Sequence, residues 1–588
     1  MNRLKNFLRH YPMRLIMSPT IIFSVFLILL SAWPGWGATY YIDPTCSSSG
    51  NGTTTTCGTN GPFKTWAEIT SKNLWAAGNT YSQKGGTTAY ETVTVGASGT
   101  VGNVITINSY GTGKAILNGR ITIPDVAWTG PDVDGVYYQA TPGGYYLLED
   151  NVFLQWATDK AHLGINGNWV SWYGGDGKNY YKPTNRVFAG HTREEVRSTG
   201  IQTGSKEYIT INNLSFTKYV SCIRATQSVK GNGFKNITIT NCDFSNSRYG
   251  MWLYTWDTHS SNLTVQNNTF SYVQSGIEFG ETALDSGLIS DVTTYDISYN
   301  TMTHIGNIYT PSGPASYYWN KVYQATPLGY EPGSNDLEGI GIQNGINGNI
   351  HHNTISGNTR GIVVYTGKNN STTGNNIYNN YVNTYFWGIV IAPHTLATEQ
   401  SNNNIHHNII ISNPGYAAWF TNIATPVATY NYFNNNTVYA YDYGIKFGTI
   451  ADYWSLKNNI IYGSTGRHII WTDAVPLKHF IIDDNLYYPD GTKWNIFSGS
   501  KTWAQWKALG FDTNSPTPAD PLFTNRSGRL SVPSDFTSQS TSPAKWAGGE
   551  VGLTTDYAGN PVHSPPSIGA YEYVGTPRPA APTGLKVQ

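Results

Sequence analysis

Asp257, His259, Glu278, Glu281 and Asp285 fall close together in the chain and are of the types that work on glycosidic bonds. Hydrolysis of such a bond takes an acid and a base or nucleophile, both carboxyls, roughly 5 to 10 Å apart. Glu278 with Glu281, Asp257 or Asp285 supplies a pair of that kind. Elimination from a uronate takes a base and a cation that neutralises the substrate carboxylate, for which Arg224, His259 or Lys321 is at hand. Trp252 and Tyr254 precede Glu278, and Gln343 and Tyr365 follow it, as surfaces on which a sugar ring can rest. Glu278 ranks first among these residues. The competing reading is that they are solvated polar groups on an exposed sheet. Which holds depends on whether the backbone gathers them.

The backbone is repetitive. "NIHHNTISGN", starting at Asn349, returns as "NIHHNIIISN", starting at Asn404. A template of apolar, two residues, Asn, one residue, apolar fits with Asn268, Asn300, Asn353, Asn380, Asn408, Asn436, Asn459 and Asn485 in the slot, and with Leu214 and Cys242 in two earlier units. The interval is roughly 26 residues, and the step from Asn300 to Asn353 is about twice that. Gly250, Gly276, Gly361, Gly388 and Gly444 come eight residues after the slot, each followed by strict alternation such as Ile277/Phe279 and Ile389/Ile391. Alternation of this kind means strands, with the intervening residues on the other face. Short strands in coils of this length stack as a parallel β-helix, with coils about 4.8 Å apart. In such a stack a side-chain amide donates to one neighbouring coil and accepts from the other, so the asparagines are expected to form one buried column.

The same alignment gives the outward series. Ten residues past the slot it runs Arg224, Trp252, Glu278, Gly341, Val363, Val390, Ala418 and Lys446; two residues further it runs Thr226, Tyr254, Gly280, Gln343, Tyr365, Ala392, Phe420 and Gly448. Polar and aromatic groups are thereby expected over the first five coils and apolar or small ones later. Corresponding histidines of the pairs His351-His352 and His406-His407 stand two coils, about 9.6 Å, apart, too far for one metal ion with bonds near 2 Å. They are expected to be turn residues. The long step carries Tyr317, Tyr318, Trp319, Tyr323 and Tyr330, where a loop can hang over the same groove, with Trp319 a candidate sugar contact.

Charge excludes some partners. Lys+Arg and Asp+Glu balance at 36 each and only 12% of residues are charged, so nothing directs the chain to nucleic acid. Arg3, Lys5, Arg9 and Arg14 precede the apolar run Ile21 to Leu30, and Gly35 and Gly37 follow, the pattern of a secretory signal peptide over residues 1–37. No later segment is apolar enough to span a bilayer, so a secreted or cell-surface protein without a membrane span is expected. Export makes a disulfide between Cys46 and Cys57 reasonable. Cys222 and Cys242, within the repeat, are equally compatible with buried thiols and with a bridge.

With those residues in view, the chain resembles the pectin-lyase-like superfamily of right-handed parallel β-helix proteins. "TYYIDPTC" and "GPFKTWAEI" (Thr39 to Ile69) resemble its opening strand and capping helix, Glu91 to Gly119 its first full turn, and Ala519 to Tyr573 the closing segment of exported bacterial members. The resemblance implies an all-β, single-stranded right-handed parallel β-helix of about ten or more coils. It implies a strand and cap over 38–92, first coils over 93–200 with an antiparallel insertion near 131–195, repeats over 201–490, a closing segment over 491–575 and a Pro-rich tail over 576–588. It implies a polysaccharide partner, a monomer and no required cofactor; Ca2+ is compatible, though the acidic cluster of pectate lyases is missing. The Gly-His-Gly pattern of polygalacturonases and the Asp-Pro-His motif of alginate epimerases are missing too. The motifs therefore specify fold better than reaction. Two readings follow: a hydrolase or lyase working in the groove, and a non-catalytic glycan-binding or matrix protein.

Overall fold

The computed structural model describes residues 37–575 except 141–144, 151, 154, 157–162, 164–169, 174–177, 184–187, 226–229, 232, 282–286, 306–337, 414, 422–427, 449–450, 472–478, 498 and 526–529. The signal-peptide region and the Pro-rich tail thus lie outside the described residues. So do Asp285, Trp319, Lys321 and Thr226.

Each coil has three straight runs. Taking one coil, Lys235–Thr240 belongs to a 16-stranded sheet, and Asp243–Thr255 crosses both arms of a bent 24-stranded sheet. Pairing between coils is parallel and in register: Ile239 aligns with Val265 and that with Ile297, while Phe244 aligns with Phe270. Register is held because the apolar residues at alternate positions all point into one core. Ile211, Ile239, Val265, Ile297, Ile350, Ile377 and Ile405 form one fully buried column. Phe216, Phe244 and Phe270 form another, their rings stacked 5.1 and 4.7 Å apart.

Two corners per coil turn on left-handed residues. The one between the arms uses Lys218, Asn246, Tyr272, His304 and Gly357; the one before the ladder slot uses Asn213, Asn241, Asn267, Tyr299, His352, Asn379, His407, Asn435 and Asn458. His352 and His407 are therefore turn residues, as expected. His351 and His406 instead end strands of the first sheet. Their rings sandwich Tyr378 at 4.8 and 5.1 Å. Within each pair the two Nδ1 atoms hydrogen-bond each other, at 2.7 and 3.1 Å.

The asparagine column is present. Asn268 donates its amide to Asn300, Asn300 to Asn353, and the chain continues through Asn380, Asn408, Asn436 and Asn459 to Asn485. Each oxygen also accepts the backbone N–H of the preceding slot residue, as Asn408 does from Asn380. Asn485 donates to Asp512, which also accepts from Tyr487, Trp506 and Ser515. The ladder thus ends on a carboxylate.

Both ends of the core are covered. The helix Ala67–Ser71 buries Ile69 with Trp66 and Phe63 at one end. The helix Trp503–Lys507, opened by a Thr502–Gln505 capping box, buries Trp506 at the other. The closing segment lays Phe523, Leu530, Phe536, Ile568 and Ala570 on Tyr381, Ile409, Ile411, Ile460 and Leu486, which accounts for the outward apolar residues of those late coils. Antiparallel strands of the insertion start at Arg120–Ile123, which pairs with Arg193–Val196 of the strand Arg193–Gln202, and a separate five-stranded sheet is antiparallel except where Gln155–Trp156 runs parallel to Val170–Tyr173. Cys46 and Cys57 are bridged, whereas Cys222 and Cys242 are free and buried. Burial pushes both thiols up to about 12.

Candidate functional site

In the bent sheet two consecutive residues of each coil face inward. A Cβ on Gly250 would meet the Phe270 ring at 2.6 Å, and its neighbour Met251 is in the core. Tyr249 and Trp252 therefore flank a bend and face outward together, their rings stacked at 5.0 Å. Glycine at 250, 276, 361, 388 and 444 is what lets the strand fold so closely, since each would clash with the neighbouring coil. Two outward columns converge along this bend. Past it run Arg224, Trp252, Glu278, Gly341, Val363, Val390, Trp419, Lys446 and Ile470. Before it run Ser221, Tyr249 and Ser275, then, from Glu338 on, Arg360, Trp387, Tyr416, Tyr443 and Arg467.

Glu278 and Glu338 flank Gly341 at the bend. The point where a Cβ of Gly341 would stand is 3.4 Å from Glu278 Cγ and 3.8 Å from Glu338 Oε2. Two carboxyl groups thus flank one glycine, with Glu278 3% and Glu338 4% exposed. Tyr254 donates its phenolic O–H to Glu278 Oε2 at 3.0 Å. Arg360 donates from Nη1 to Glu338 Oε1 at 2.8 Å. Its guanidinium lies over the Trp387 ring at 4.3 Å. On the other side of Glu278, Trp252 meets Tyr254 edge-on at 5.3 Å and carries the Arg224 guanidinium 4.5 Å above its ring.

The structure therefore gathers Arg224, Trp252, Tyr254 and Glu278. Gln343 and Tyr365 align on consecutive coils in the neighbouring outward column. Gly280, at φ +118, lets the backbone of Gln343 approach, for a Cβ there would sit 2.1 Å from the Gln343 carbonyl oxygen. Glu281 ends the strand level with Thr255, and its side chain lies outside the described residues. Asp257 and His259 lie beyond the end of the strand, on the run into the first sheet. There Asp257 pairs with Lys230 at 2.9 Å and His259 with Asp291 at 2.7 Å.

One alignment needs correction. Ala418 and Phe420 are core residues, and Trp419 takes the outward place level with Val390. The coil gains a residue before its bend, so Ala417 rather than Tyr416 stands where its neighbours have glycine. The expectation of small or apolar groups in later coils falls with it: Trp387, Tyr416, Trp419, Tyr443, Lys446 and Arg467 continue the groove. Lys446 lies over Tyr416 at 4.6 Å and Trp419 at 5.1 Å, and burial lowers its pKa.

Glu338, Arg360, Trp387 and Tyr249 were missed because only positions after the glycine were read as outward. The residue immediately before each glycine was the available signal. It is Tyr249, Ser275, Glu338, Arg360, Trp387 and Tyr443 in turn, a variable series beside a run of glycines.

Among the described residues, metal-capable clusters occur elsewhere. Glu149, Asp150 and His191 come together at the insertion, and Asp43 lies by the bridged Cys46 and Cys57. His191 is raised and Asp150 lowered in pKa by the hydrogen bond between them, the behaviour of an ion pair. No helix among the described residues is long and apolar enough to cross a membrane.

Residues 286–474 match the family model for the right handed beta helix region. No curated relative matches the chain. Among solved structures, a complex of XylC with xylose is 13% identical, covers 91% of this chain and 98% of its own, and gives a TM-score of 0.53. The pectate lyase Pel9A is 14% identical, with 92% and 97% covered and a TM-score of 0.35. An alginate lyase from Paenibacillus sp. str. FPU-7 is 14% identical, with 71% and 97% covered and a TM-score of 0.31. Likeness at such identity concerns the fold alone. Coil register, core columns and the family match over residues 286–474 agree that this chain is a right-handed parallel β-helix.

Proposed function

We propose that the chain is an exported enzyme that hydrolyses a glycosidic bond of a polysaccharide lying along the bend groove. The observation that carries this reading is the carboxyl pair Glu278 and Glu338, nearly buried and flanking Gly341 beside the Trp252 ring. Paired carboxyls over an aromatic surface suit the acid and base or nucleophile of glycoside hydrolysis. Half-buried Trp252 on one side of the pair, and half-buried Trp387, Trp419 and Tyr416 on the other, offer apolar faces for successive sugars. Coils repeat about every 4.8 Å, so the row matches an extended polymer better than a single ring.

Elimination is the second reading, favoured by one observation: Arg224 lies over Trp252 in the same groove and is a cation available to a uronate. The Cys46–Cys57 bridge supports export, because such bonds persist in oxidising compartments. A panel of polysaccharides incubated with the purified protein tests the reading. Hydrolysis releases reducing ends without the ultraviolet absorbance of an unsaturated product, and elimination gives both. Glu278→Gln should lower turnover at least about 100-fold while the protein stays folded. Unchanged turnover in that variant would move the site elsewhere. Glycan binding that needs Trp252, with no product of either kind from any polymer, would leave a binding protein instead.

A further inference from the structure

We propose that a cavity at the corner between the two arms of the bent sheet is a second sugar site, which holds one neutral pyranose ring and does no chemistry on it. The site does not rest on the hydrolytic reading, since it would hold a sugar in an enzyme and in a binding protein alike.

The cavity has a volume of about 240 Å³ and is lined by Gly357, Asn383, Thr384, Tyr385, Asn413 and Ser531. An apolar cavity of about 150 Å³ takes benzene, whereas pockets for drug-sized ligands span about 300–1,000 Å³. A single six-membered ring with its hydroxyls falls between the two.

A glycine opens the space. The same left-handed corner carries Lys218, Asn246, Tyr272 and His304 in earlier coils. The Tyr272 and His304 rings stack at 4.7 Å, and Gly357, at φ +71, ends the row. A Cβ at Gly357 would meet nothing nearer than the His304 backbone nitrogen at 3.4 Å, so the coil has room for a side chain that it does not carry. The far wall comes from the closing segment. There the Ser531 carbonyl accepts from the phenol of buried Tyr381, and the Ser531 N–H donates to Asp535 at 2.8 Å. Across the coils, the Asn413 N–H donates to the Thr384 carbonyl at 3.0 Å. The backbone that carries these side chains is therefore fixed before a ligand arrives, which spares the cost of ordering it on binding.

The lining selects the ligand. None of the six residues is charged, so a carboxylate entering would lose its water without gaining a cation. Asn383 donates one amide N–H to the Tyr381 phenolic oxygen at 3.3 Å and keeps its own oxygen for another donor. Among the described residues, the Asn413 carboxamide and the Ser531 hydroxyl bond to no protein group. Carboxamides and hydroxyls both donate and accept, as vicinal sugar hydroxyls do, and Tyr385, 48% exposed, offers a ring to the C–H face of a sugar. Tyr385 precedes Trp387 by two residues of the strand Tyr381–Pro393, about 7 Å, so a unit held here can belong to a polymer that also crosses the groove.

Saturation-transfer NMR on the whole protein tests the site, with xylose, glucose, galactose, mannose and galacturonate as probes. At least one of the four neutral sugars should bind, and galacturonate should bind about tenfold or more weakly than the best of them. Gly357→His extends the row of Tyr272 and His304 into the cavity and should weaken that sugar about tenfold or more, with a smaller loss in Gly357→Asn, which places there the residue type of Asn246. Asn413→Ala should weaken it about three- to tenfold through lost hydrogen bonds. Melting curves check that each variant is folded, and Asn413→Ala leaves the corner backbone alone, so it carries the test if Gly357→His does not fold. No neutral sugar bound by the native protein, galacturonate bound as tightly as the best neutral sugar, or undiminished binding in the folded variants overturns the proposal. Binding that is lost in Trp252→Ala instead places the sugar in the groove and overturns it too. Turnover of a polymer with no sugar at the corner removes this site and keeps the hydrolase, whereas sugar at the corner with no turnover of any polymer does the reverse.

Discussion

The asparagine ladder and the bend groove climb the same coils and follow opposite rules. At the ladder corner every coil from Asn268 to Asn485 presents the same residue, because every coil leaves the same backbone N–H and C=O groups buried there. At the groove the residue changes from coil to coil around the carboxyl pair: Trp252 is followed by Glu278, Gly341 and Val363. The backbone asks nothing of those side chains, for its own hydrogen bonds are made between coils. Repetition here marks what the architecture requires, and its loss marks where another requirement acts.

The largest expected effect breaks the groove without touching the ladder. Glu338→Gln should cost at least about 100-fold in turnover on a confirmed substrate, and the melting temperature should fall because the nearly buried Arg360 loses its charged partner, with the protein still folded at the assay temperature. Gly341→Ala is a finer instrument. Its methyl would meet Glu278 and Glu338 at ordinary contact distances of 3.4 to 3.8 Å, so the coil still folds, but the space between the carboxyls is filled. A loss of activity comparable to that of Glu338→Gln is expected, here with an unchanged melting curve; full activity would show that substrate does not enter there.

The reverse experiment breaks the ladder and spares the groove. Asn408→Ala removes the acceptor of two bonds from Asn380 and the donor to Ile377 and Asn436. The cost should be about 1–3 kcal/mol in chemical denaturation, since buried polar groups lose their partners. Activity measured well below the melting temperature should not change. A neutral effect on stability would mean that the corner admits water freely.

A smaller effect comes from the histidines that stand in for asparagine beside the ladder. Burial lowers His406 to about 4 and His407 to about 3. The folded chain keeps both rings neutral while the unfolded chain protonates them below about pH 6.5, so the unfolded state binds more protons and stability falls as pH drops from there towards the folded values. His407→Asn puts in the left-handed corner the residue that Asn379 and Asn435 already supply. It should leave stability at pH 7 nearly unchanged and recover on the order of 3 kcal/mol at pH 4, read from denaturation at both pH values. Equal loss of stability with acid in both proteins would refute neutral burial. The smallest effect is expected at Lys446→Met, where binding of a carboxylated oligosaccharide should lose its salt dependence more than its affinity, by a few-fold at most.

How legible the molecule was follows the same division. The template around Asn353 and Asn408 was enough to place the ladder and the inward columns, because a period is a property of the chain itself. It placed Glu278 beside Trp252 correctly. It failed at Trp419, where one added residue before the bend moved every later side chain of that strand to the other face.

What the sequence determined by itself is the coil: its length, its apolar faces, and the corner that takes an amide in every turn, since the same local physics recurs each time and leaves a visible period. What only the tertiary structure decided is which outward residues meet. Glu278 and Glu338 are separated in the chain by the long step and by segments outside the repeat, yet parallel pairing of Glu278 with Gly341 sets them on either side of one glycine. Two consecutive inward residues at the bend turn the columns toward each other, and Arg360 reaches Glu338 because its coil stacks next. Such contacts depend on register between coils and on the angle of a bend, neither of which has a period to read.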